Sequence, residues 1–167
     1  MQLPTVHGDL LRVKRGIIVH GANAQGAMNA GFAKSLRTKH PEIFTDYRDM
    51  YLHLGPKQML GKTVITQVGV DLFVATGITQ EFYGRDPDYQ YSNIHAIRSV
   101  FECVNQFAID KNLPVFYPQI GAGLGNGNWD AIEEIIFETM SPQVEHCLYL
   151  KNQTERNMYA EARRFFR

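Results

Sequence analysis

The segment Val115–Trp129, VFYPQIGAGLGNGNW, decides the fold class that the sequence predicts. It begins with a short apolar run of the kind that forms buried strands. Four of the fourteen glycines of the chain follow between Gly121 and Gly127, and a helical pattern begins at Trp129. Glycine is favoured where a backbone takes positive φ angles or approaches a ligand closely. The segment therefore predicts a strand, a glycine-rich loop and a helix in succession.

The segment Ile17–Gly31, IIVHGANAQGAMNAG, has the same order of apolar run, glycines and helical pattern. We call residues 21–31 the first loop and residues 121–128 the second loop. Neither 16–33 nor 112–150 contains a lysine or an arginine. If these loops bind phosphate, they must therefore use main-chain N–H groups and helix N-termini. Two flexible surface loops are the alternative interpretation.

Two better-known phosphate loops do not match these segments. A Walker loop ends in Gly-Lys-Ser/Thr, and neither segment has that ending. The dinucleotide-binding pattern GxGxxG is also absent from the second loop, because Asn126 occupies the place of its last glycine. An oxidoreductase that binds NAD through this loop is therefore disfavoured.

Short apolar and β-branched runs alternate with helical patterns along the chain. This alternation predicts a three-layer α/β fold with a largely parallel sheet, in which ligands bind at the carboxyl ends of strands. Ser92 and Asn128 are the predicted N-caps of the third and fourth helices. The predicted strands are Leu3–Val6, Ile17–His20, Thr63–Val68, Leu72–Ala75, Val115–Pro118 and Cys147–Leu150. The predicted helices are Gly31–His40, Ile43–His53, Asn93–Lys111, Trp129–Met140 and Thr154–Phe166.

Composition excludes several classes of protein without selecting a function. The length of 167 residues, 44% of them hydrophobic, suits a single domain over 1–167. Seventeen Lys and Arg balance seventeen Asp and Glu, so no strong field favours nucleic acid or an anionic membrane as a partner. No stretch approaches the ~18 apolar residues of a membrane span, and the first residues lack a secretion signal. Cys103 and Cys147 have no disulfide or metal-site spacing, which predicts a cytoplasmic protein without a bound metal.

Five further patterns can be read along the chain: GDLL (8–11), IIVHGAN (17–23), GAMNAGFA (26–33), ITQEFYGR (78–85) and PQIGAGLGNGNW (118–129). Together these five stretches resemble the macrodomain family. The similarity covers about residues 5–150, and the predicted C-terminal helix within 151–167 lies outside it. It implies a three-layer α/β/α macrodomain with a mixed, largely parallel central sheet. Within the family, the chain is most similar to the phosphatase-type members of bacteria and phages, which are related to those that remove the 1″-phosphate from ADP-ribose-1″-phosphate.

The resemblance implies a pocket for ADP-ribose or ADP-ribose-1″-phosphate, with no further cofactor. In this family the Asp of the opening Gly-Asp pair accepts a hydrogen bond from adenine, which implies that role for Asp9. The amide of the first loop, here Asn23, contacts the distal ribose, beside which Met28 forms a wall. Ile120 and the second loop are implied to surround the diphosphate with main-chain N–H groups. The other residues implied to contact the ligand are Leu10, Gly26, Gly31, Gln80, Tyr83, Gly121, Ala122, Gly123, Leu124, Gly125, Asn126 and Trp129. For Trp129, pinning its helix to the core is the alternative.

His20 and Asn23 are the predicted catalytic residues. The sequence lacks a Gly-x-Ser-x-Gly elbow and a His-x-x-x-His pair, so it supports neither serine nor zinc hydrolysis. A hydrolase without a metal must orient water and protonate the leaving group. His20 ends a predicted strand, immediately before the first loop. An unperturbed imidazole titrates near neutral pH, and phosphatase-type relatives often have His at this position. A purely structural histidine at a strand end is the alternative interpretation.

The chain departs from the family at three positions. Asn128 stands where relatives commonly have Asp, so a carboxylate base is missing there. Asn29 replaces the glycine that usually follows the loop methionine. Gly125 replaces the aspartate that, together with a lysine nucleophile, serves macrodomains that cleave ADP-ribose from carboxylates. The sequence thus predicts hydrolysis of ADP-ribose-1″-phosphate, or of a related ADP-ribosyl linkage, by activated water. The alternative is a non-catalytic reader of free or protein-linked ADP-ribose.

Overall fold

The structure is a computed structural model and describes residues 2–151. The predicted helix Thr154–Phe166 lies outside these residues. None of the helices within 2–151 is both long and apolar enough to cross a bilayer. In chain order the elements are β1 (Thr5–His7), a 3₁₀ turn (Leu10–Arg12), β2 (Gly16–Asn23), α1 (Gly31–Lys39), α2 (Glu42–Leu54), α3 (Pro56–Met59), β3 (Thr63–Gly69), β4 (Leu72–Gln80), α4 (Ile94–Lys111), β5 (Val115–Tyr117), α5 (Trp129–Thr139) and β6 (His146–Leu150).

The strands form one sheet in the order β1-β6-β5-β2-β4-β3. Every pairing is parallel except that of β4 with β3, which is antiparallel. The predicted mixed, largely parallel sheet is therefore confirmed. Because β2, β4, β5 and β6 run in the same direction, their carboxyl ends lie at one edge of the sheet. Both glycine-rich loops begin at that edge, the first at the end of β2 and the second after β5.

Helices cover both faces of the sheet, as the alternating side chains of β2 show. Ile17 and Val19 pack in the apolar cluster that contains α4 and α5, including Phe101. Ile18 packs in the opposite cluster, which contains Leu36 of α1 and further residues of α2. Successive residues of a strand point to opposite faces, so a strand buried on both sides has a continuous apolar run. This explains why IIV in β2 is a clear strand signal in the sequence.

The neighbouring strands β2 and β4 extend further towards the carboxyl edge than the sequence predicted. β2 continues past His20 to Asn23, and β4 continues past Ala75 to Gln80. The sequence signal stops early because the added part of β4 contains Thr, Gly and Gln. Gly77 is required there, since a Cβ at this position would overlap the side chain of Val100 on α4. The extended ends bring polar residues of both strands to the site described below.

The N-cap of α4 is Asn93, so the prediction of Ser92 is wrong by one residue. The Asn93 side chain accepts a hydrogen bond from the Ala96 N–H at 2.9 Å. Ser92 is 6% exposed, and its own N–H donates to the Gly125 carbonyl. The prediction of Asn128 as the N-cap of α5 is confirmed, since its side chain accepts hydrogen bonds from the N–H groups of Asp130 and Ala131.

We expect Asn93→Ala to lower the free energy of unfolding by about 1 kcal/mol, the usual cost of losing an N-cap. Ser92→Ala is the matched control, because it keeps the Asn93 cap and the hydrogen bond from the N–H of residue 92 to the Gly125 carbonyl. It should lower the free energy of unfolding less than Asn93→Ala does. Urea denaturation of the three proteins measures the difference. A larger loss in Ser92→Ala than in Asn93→Ala would contradict this assignment of the cap.

Candidate functional site

A cavity of about 740 Å³ lies at the carboxyl edge of the sheet, between the two loops. We call it the carboxyl-edge pocket. Its walls come from the ends of β2 and β4, the start of α1 and the second loop. The predicted site residues that line it are His20, Asn23, Met28, Gly31, Gln80, Tyr83, Ile120, Gly121, Gly123, Leu124 and Gly125. The structure thus brings together the residues of both loops that the sequence placed at one site.

Several predicted ligand-binding residues lie outside the lining of the pocket. Asp9 caps the 3₁₀ turn, where its carboxylate accepts a hydrogen bond from the Leu11 N–H at 2.9 Å. Leu10 is 4% exposed and belongs to the apolar cluster under α1 and α2. Trp129 is partly buried against the other cluster, in agreement with the alternative role of holding its helix. The full set outside the lining is Asp9, Leu10, Gly26, Ala122, Asn126 and Trp129.

The side chain of Asn23 braces the first loop from within. Its Oδ1 accepts from the N–H of Gln25 at 2.9 Å and from the Tyr47 hydroxyl at 3.1 Å, while its Nδ2 donates to the Ala27 carbonyl at 2.8 Å. These partners fix the orientation of the amide, because a backbone N–H can only donate and a carbonyl can only accept. Among residues 2–151 the second Nδ2 hydrogen has no acceptor, so it is available to a ligand. Asn23 can therefore donate to a ribose hydroxyl but is poorly placed to accept from one.

The first turn of α1 offers main-chain donors to the pocket. Ala30 is the N-cap and has no side chain that could satisfy them. Gly31, Phe32 and Ala33 line the pocket, and Gly31 has a φ of +58°, which favours glycine. Uncapped N–H groups and the positive end of the helix dipole stabilise a nearby anion.

Carbonyl groups of the second loop accept hydrogen bonds that hold the loop in place, while several of its N–H groups have no acceptor among residues 2–151. The Gly121 carbonyl accepts from the Gly127 N–H at 2.7 Å, and the Gly125 carbonyl accepts from Tyr91 and Ser92. Within the part of the chain that the structure describes, the N–H groups of residues 123–125 have no acceptor. These three residues line the pocket. Unpaired polar groups in a cavity favour a polar ligand, and consecutive N–H donors favour an anion.

Asn126 connects the second loop to residues 81–92, which we call the connecting segment because they join β4 to α4. Asn126 has a left-handed backbone, with φ of 53°. Its Nδ2 donates to the carbonyls of Asp86 at 2.9 Å and Tyr89 at 2.8 Å. Both Nδ2 hydrogens are thus used, so this amide group cannot also donate to a ligand. The sequence resemblance implied ligand contact for Asn126 and gave no sign of this structural role.

His20 lines the pocket but is only 1% exposed. Its Nε2 lies 2.8 Å from the hydroxyl oxygen of Thr76, which is its neighbour on β4. Its Nδ1 is buried and has no hydrogen-bond partner among residues 2–151. Burial lowers the pKa of His20 to about 4, and the adjacent Gly21 backbone offsets only part of that effect. The imidazole is therefore uncharged at neutral pH, and it can accept a proton only transiently.

Sequence reasoning missed two basic residues of the described lining, Arg85 and Lys151. Arg85 ends one of the stretches that carry the resemblance, and Lys151 directly follows β6, so the strand-end rule was the available signal. Among the described lining residues there is no Asp or Glu. Nor do three or more His, Cys, Asp or Glu side chains gather into a metal-binding group anywhere in residues 2–151. The pocket as described thus combines neutral N–H donors with positive charge.

No family model matches the chain, but its sequence is similar to that of known proteins. An uncharacterized 17.5 kDa protein from the tk-vs intergenic region of Enterobacteria phage T4 is 29% identical over 136 residues, covering 77% of this chain and 81% of that protein. ADP-ribose 1″-phosphate phosphatase of Candida glabrata is 39% identical over 62 residues. That match covers 36% of this chain and 34% of the phosphatase, about a third of its length.

Solved structures give a broader match. A protein of unknown function from Bacteroides thetaiotaomicron has a TM-score of 0.81 at 27% identity, covering 91% of this chain and 99% of that one. A macrodomain protein from Streptomyces coelicolor has a TM-score of 0.74 at 23% identity, covering 90% and 100%. Thermosipho africanus DarTG in complex with ADP-ribose has a TM-score of 0.68 at 15% identity, covering 88% of this chain and 40% of that one. These similarities confirm the fold that the sequence resemblance implied.

We expect the imidazole of His20 to remain uncharged at pH 5.5, where a free imidazole is mostly protonated. The lowered folded-state pKa means that the unfolded chain binds this proton more readily. Stability from His20 is therefore complete above pH 6.5 and is lost as the pH falls towards 4, by about 3 kcal/mol in total. The titration is followed by NMR of the histidine ring protons as a function of pH. The signal that is missing in His20→Gln is that of His20. A His20 signal that titrates near pH 6.5 would contradict the buried, neutral state.

Proposed function

We propose that this chain, which has the macrodomain fold, binds ADP-ribose derivatives in the carboxyl-edge pocket and hydrolyses the 1″-phosphate of ADP-ribose-1″-phosphate. Two clusters of main-chain N–H groups without an acceptor among residues 2–151 support binding best. One lies at the start of α1, and the other comprises residues 123–125. A diphosphate is the part of ADP-ribose that needs such donors. The solved complex of Thermosipho africanus DarTG with ADP-ribose supports the choice of this ligand class.

The size and lining of the pocket also suit a nucleotide-like ligand. A volume of about 740 Å³ falls in the range of roughly 300–1,000 Å³ that is typical of small-molecule sites. Met28 is 2% exposed and Ile120 is 3% exposed, so both form firm apolar walls at the base. Tyr83 is 60% exposed at the rim, where its ring can cover a ribose or a base. Directed donors between apolar walls would hold the ligand in one orientation.

In the proposed reaction, water attacks the 1″-phosphorus. The bond between phosphorus and the 1″-oxygen breaks, inorganic phosphate leaves, and the ribose oxygen takes up a proton. The main-chain N–H groups stabilise the phosphate oxygens as charge shifts onto them. In this proposal His20, which lines the pocket, transfers the proton, since at neutral pH its uncharged ring can accept one from the attacking water. The partial match to a Candida glabrata ADP-ribose 1″-phosphate phosphatase supports this choice of reaction.

A non-catalytic reader of free or protein-linked ADP-ribose is the second candidate function. Two observations favour it. The described lining of the pocket contains no carboxylate that could act as a base. Asn128, which stands where relatives commonly have Asp, uses its side chain to cap α5. In this case the same N–H groups hold the diphosphate, and no bond of the ligand is broken.

Phosphorus NMR of ADP-ribose-1″-phosphate with the protein separates the two functions. For the hydrolase, a growing signal of inorganic phosphate is expected, which is lost in His20→Ala while ADP-ribose still binds. His53→Ala, at an exposed histidine of α2, is the matched control and keeps the activity. Broadened diphosphate signals without phosphate release would favour the reader. Unchanged spectra at high protein concentration would contradict both functions.

We expect Gly123→Val to fold normally but to weaken ADP-ribose binding by about tenfold or more, because the side chain intrudes beside the unpaired N–H groups. A Cβ at this position meets no protein atom within 4 Å, and the φ angle is not in the left-handed region. Gly123→Ala, with a smaller side chain, should have a smaller effect. Thermal unfolding and calorimetric titration of the variants check this. A folded Gly123→Val protein with unchanged affinity would contradict the role of the second loop.

A further inference from the structure

We propose that Arg85 selects ligands that carry a terminal phosphomonoester over the same ligands without it. This inference rests on the proposed function, because it concerns which ADP-ribose derivative the carboxyl-edge pocket prefers. It assigns a role to a residue that the loop motifs did not single out.

The charge of the pocket favours a ligand more negative than ADP-ribose. Arg85 contributes a cationic side chain to the described lining, and that lining contains no Asp or Glu. The diphosphate of ADP-ribose has two negative charges, and the unpaired N–H groups of α1 and the second loop already provide donors for it. A terminal phosphomonoester adds about −1.5 to −2 charges at neutral pH. The positive charge of the Arg85 guanidinium matches this extra group.

The connecting segment fixes the backbone on both sides of Arg85. Before it, Gly84 lies against the Tyr91 ring so closely that a Cβ would overlap the hydroxyl group. After it, the Asp86 N–H donates to the Tyr91 hydroxyl at 3.3 Å, and the Asp86 carbonyl accepts from Asn126. The rings of Tyr89 and Tyr91 pack edge to face at 4.6 Å. The Arg85 side chain is exposed, but the backbone that projects it towards the pocket is held in place.

Arginine suits this role because its planar guanidinium can bind a phosphate through two parallel N–H bonds. A main-chain N–H cluster does not distinguish strongly between a diphosphate and a monoester, since it recognises any anion. A held guanidinium adds a full positive charge at one place. Selectivity for the phosphorylated ligand is therefore expected to depend on Arg85.

Asn126 is the positioning residue in this arrangement. Its two hydrogen bonds, to the carbonyls of Asp86 and Tyr89, join the second loop to the connecting segment. The loop that surrounds the diphosphate and the segment that carries Arg85 are thereby held at a fixed separation. Asn126→Gly keeps the left-handed backbone accessible but removes both bonds.

The test compares binding of ADP-ribose and ADP-ribose-1″-phosphate to wild type and to Arg85→Gln. We expect Arg85→Gln to weaken binding of the phosphorylated ligand by about ten- to a hundredfold and that of ADP-ribose by less than about threefold. Where phosphate is released, the KM of the phosphorylated ligand and the inhibition constant of ADP-ribose are compared instead. Arg15→Gln is the matched control, because Arg15 lies before β2 at the opposite edge of the sheet and contacts the Asn112 carbonyl. Arg85→Lys should restore part of the selectivity.

The positioning role of Asn126 is tested by a double-mutant cycle. If Asn126 acts by placing Arg85, Asn126→Gly lowers the ratio of the two affinities in wild type but not in the Arg85→Gln background. Equal effects in both backgrounds would show that Asn126 supports the fold alone and would overturn its positioning role. The ratio is the informative quantity, since a general loss of stability weakens both ligands together.

The outcomes separate this inference from the proposed function. If wild type binds neither ligand, the proposed function is wrong. If wild type binds both, but Arg85→Gln weakens them equally or not at all, the inference is overturned and the proposed function stands. Raising the salt concentration provides a second check, because binding of the phosphorylated ligand should weaken more steeply in wild type than in Arg85→Gln.

Discussion

Parallel pairing of β2 with β4 and β5 forces three connections to begin side by side at one edge of the sheet. Each connection must leave the sheet there, so its first residues can no longer use the ladder of hydrogen bonds between strands. The chain meets this constraint with glycines, asparagines and a helix N-terminus. The Asn23 side chain accepts a hydrogen bond from a main-chain N–H of the first loop, and the Asn126 side chain joins the second loop to the connecting segment. The N–H groups that remain without an acceptor in residues 2–151 are available to a ligand.

The site follows from what these connections leave unsatisfied. Carbonyl groups of the second loop accept hydrogen bonds from other parts of the protein. That of Gly125, for example, accepts hydrogen bonds from two N–H groups of the connecting segment. The N–H groups of residues 123–125 have no such partner in residues 2–151. The first turn of α1 adds donors from the other side. Without an acidic residue in its described lining, the pocket is complementary to an anion, and its apolar base limits where that anion can lie.

The sequence predicted the fold and the main loops because both depend on local patterns. Apolar runs marked the buried strands, and the clustered glycines marked the loops at their carboxyl ends. It predicted less well where tertiary contacts decide, as in β4 beyond Ala75, where pairing with β2 outweighs the weak strand propensity of Gly77. The presence of Arg85 in the pocket lining and the hydrogen bonds of Asn126 to the connecting segment were also missed, since both depend on how that segment lies against the second loop. The pKa of His20 is another such case, because burial is a property of the folded chain.

The central claim is that unpaired main-chain N–H groups hold the diphosphate of the ligand. It is tested most directly by following backbone amide NMR signals during titration with ADP-ribose. The account predicts that the largest downfield shifts of amide protons occur at residues 31–33 and 123–125, since these protons would gain charged hydrogen-bond partners. Saturable binding with the largest shifts elsewhere, and little change in these six residues, would contradict it.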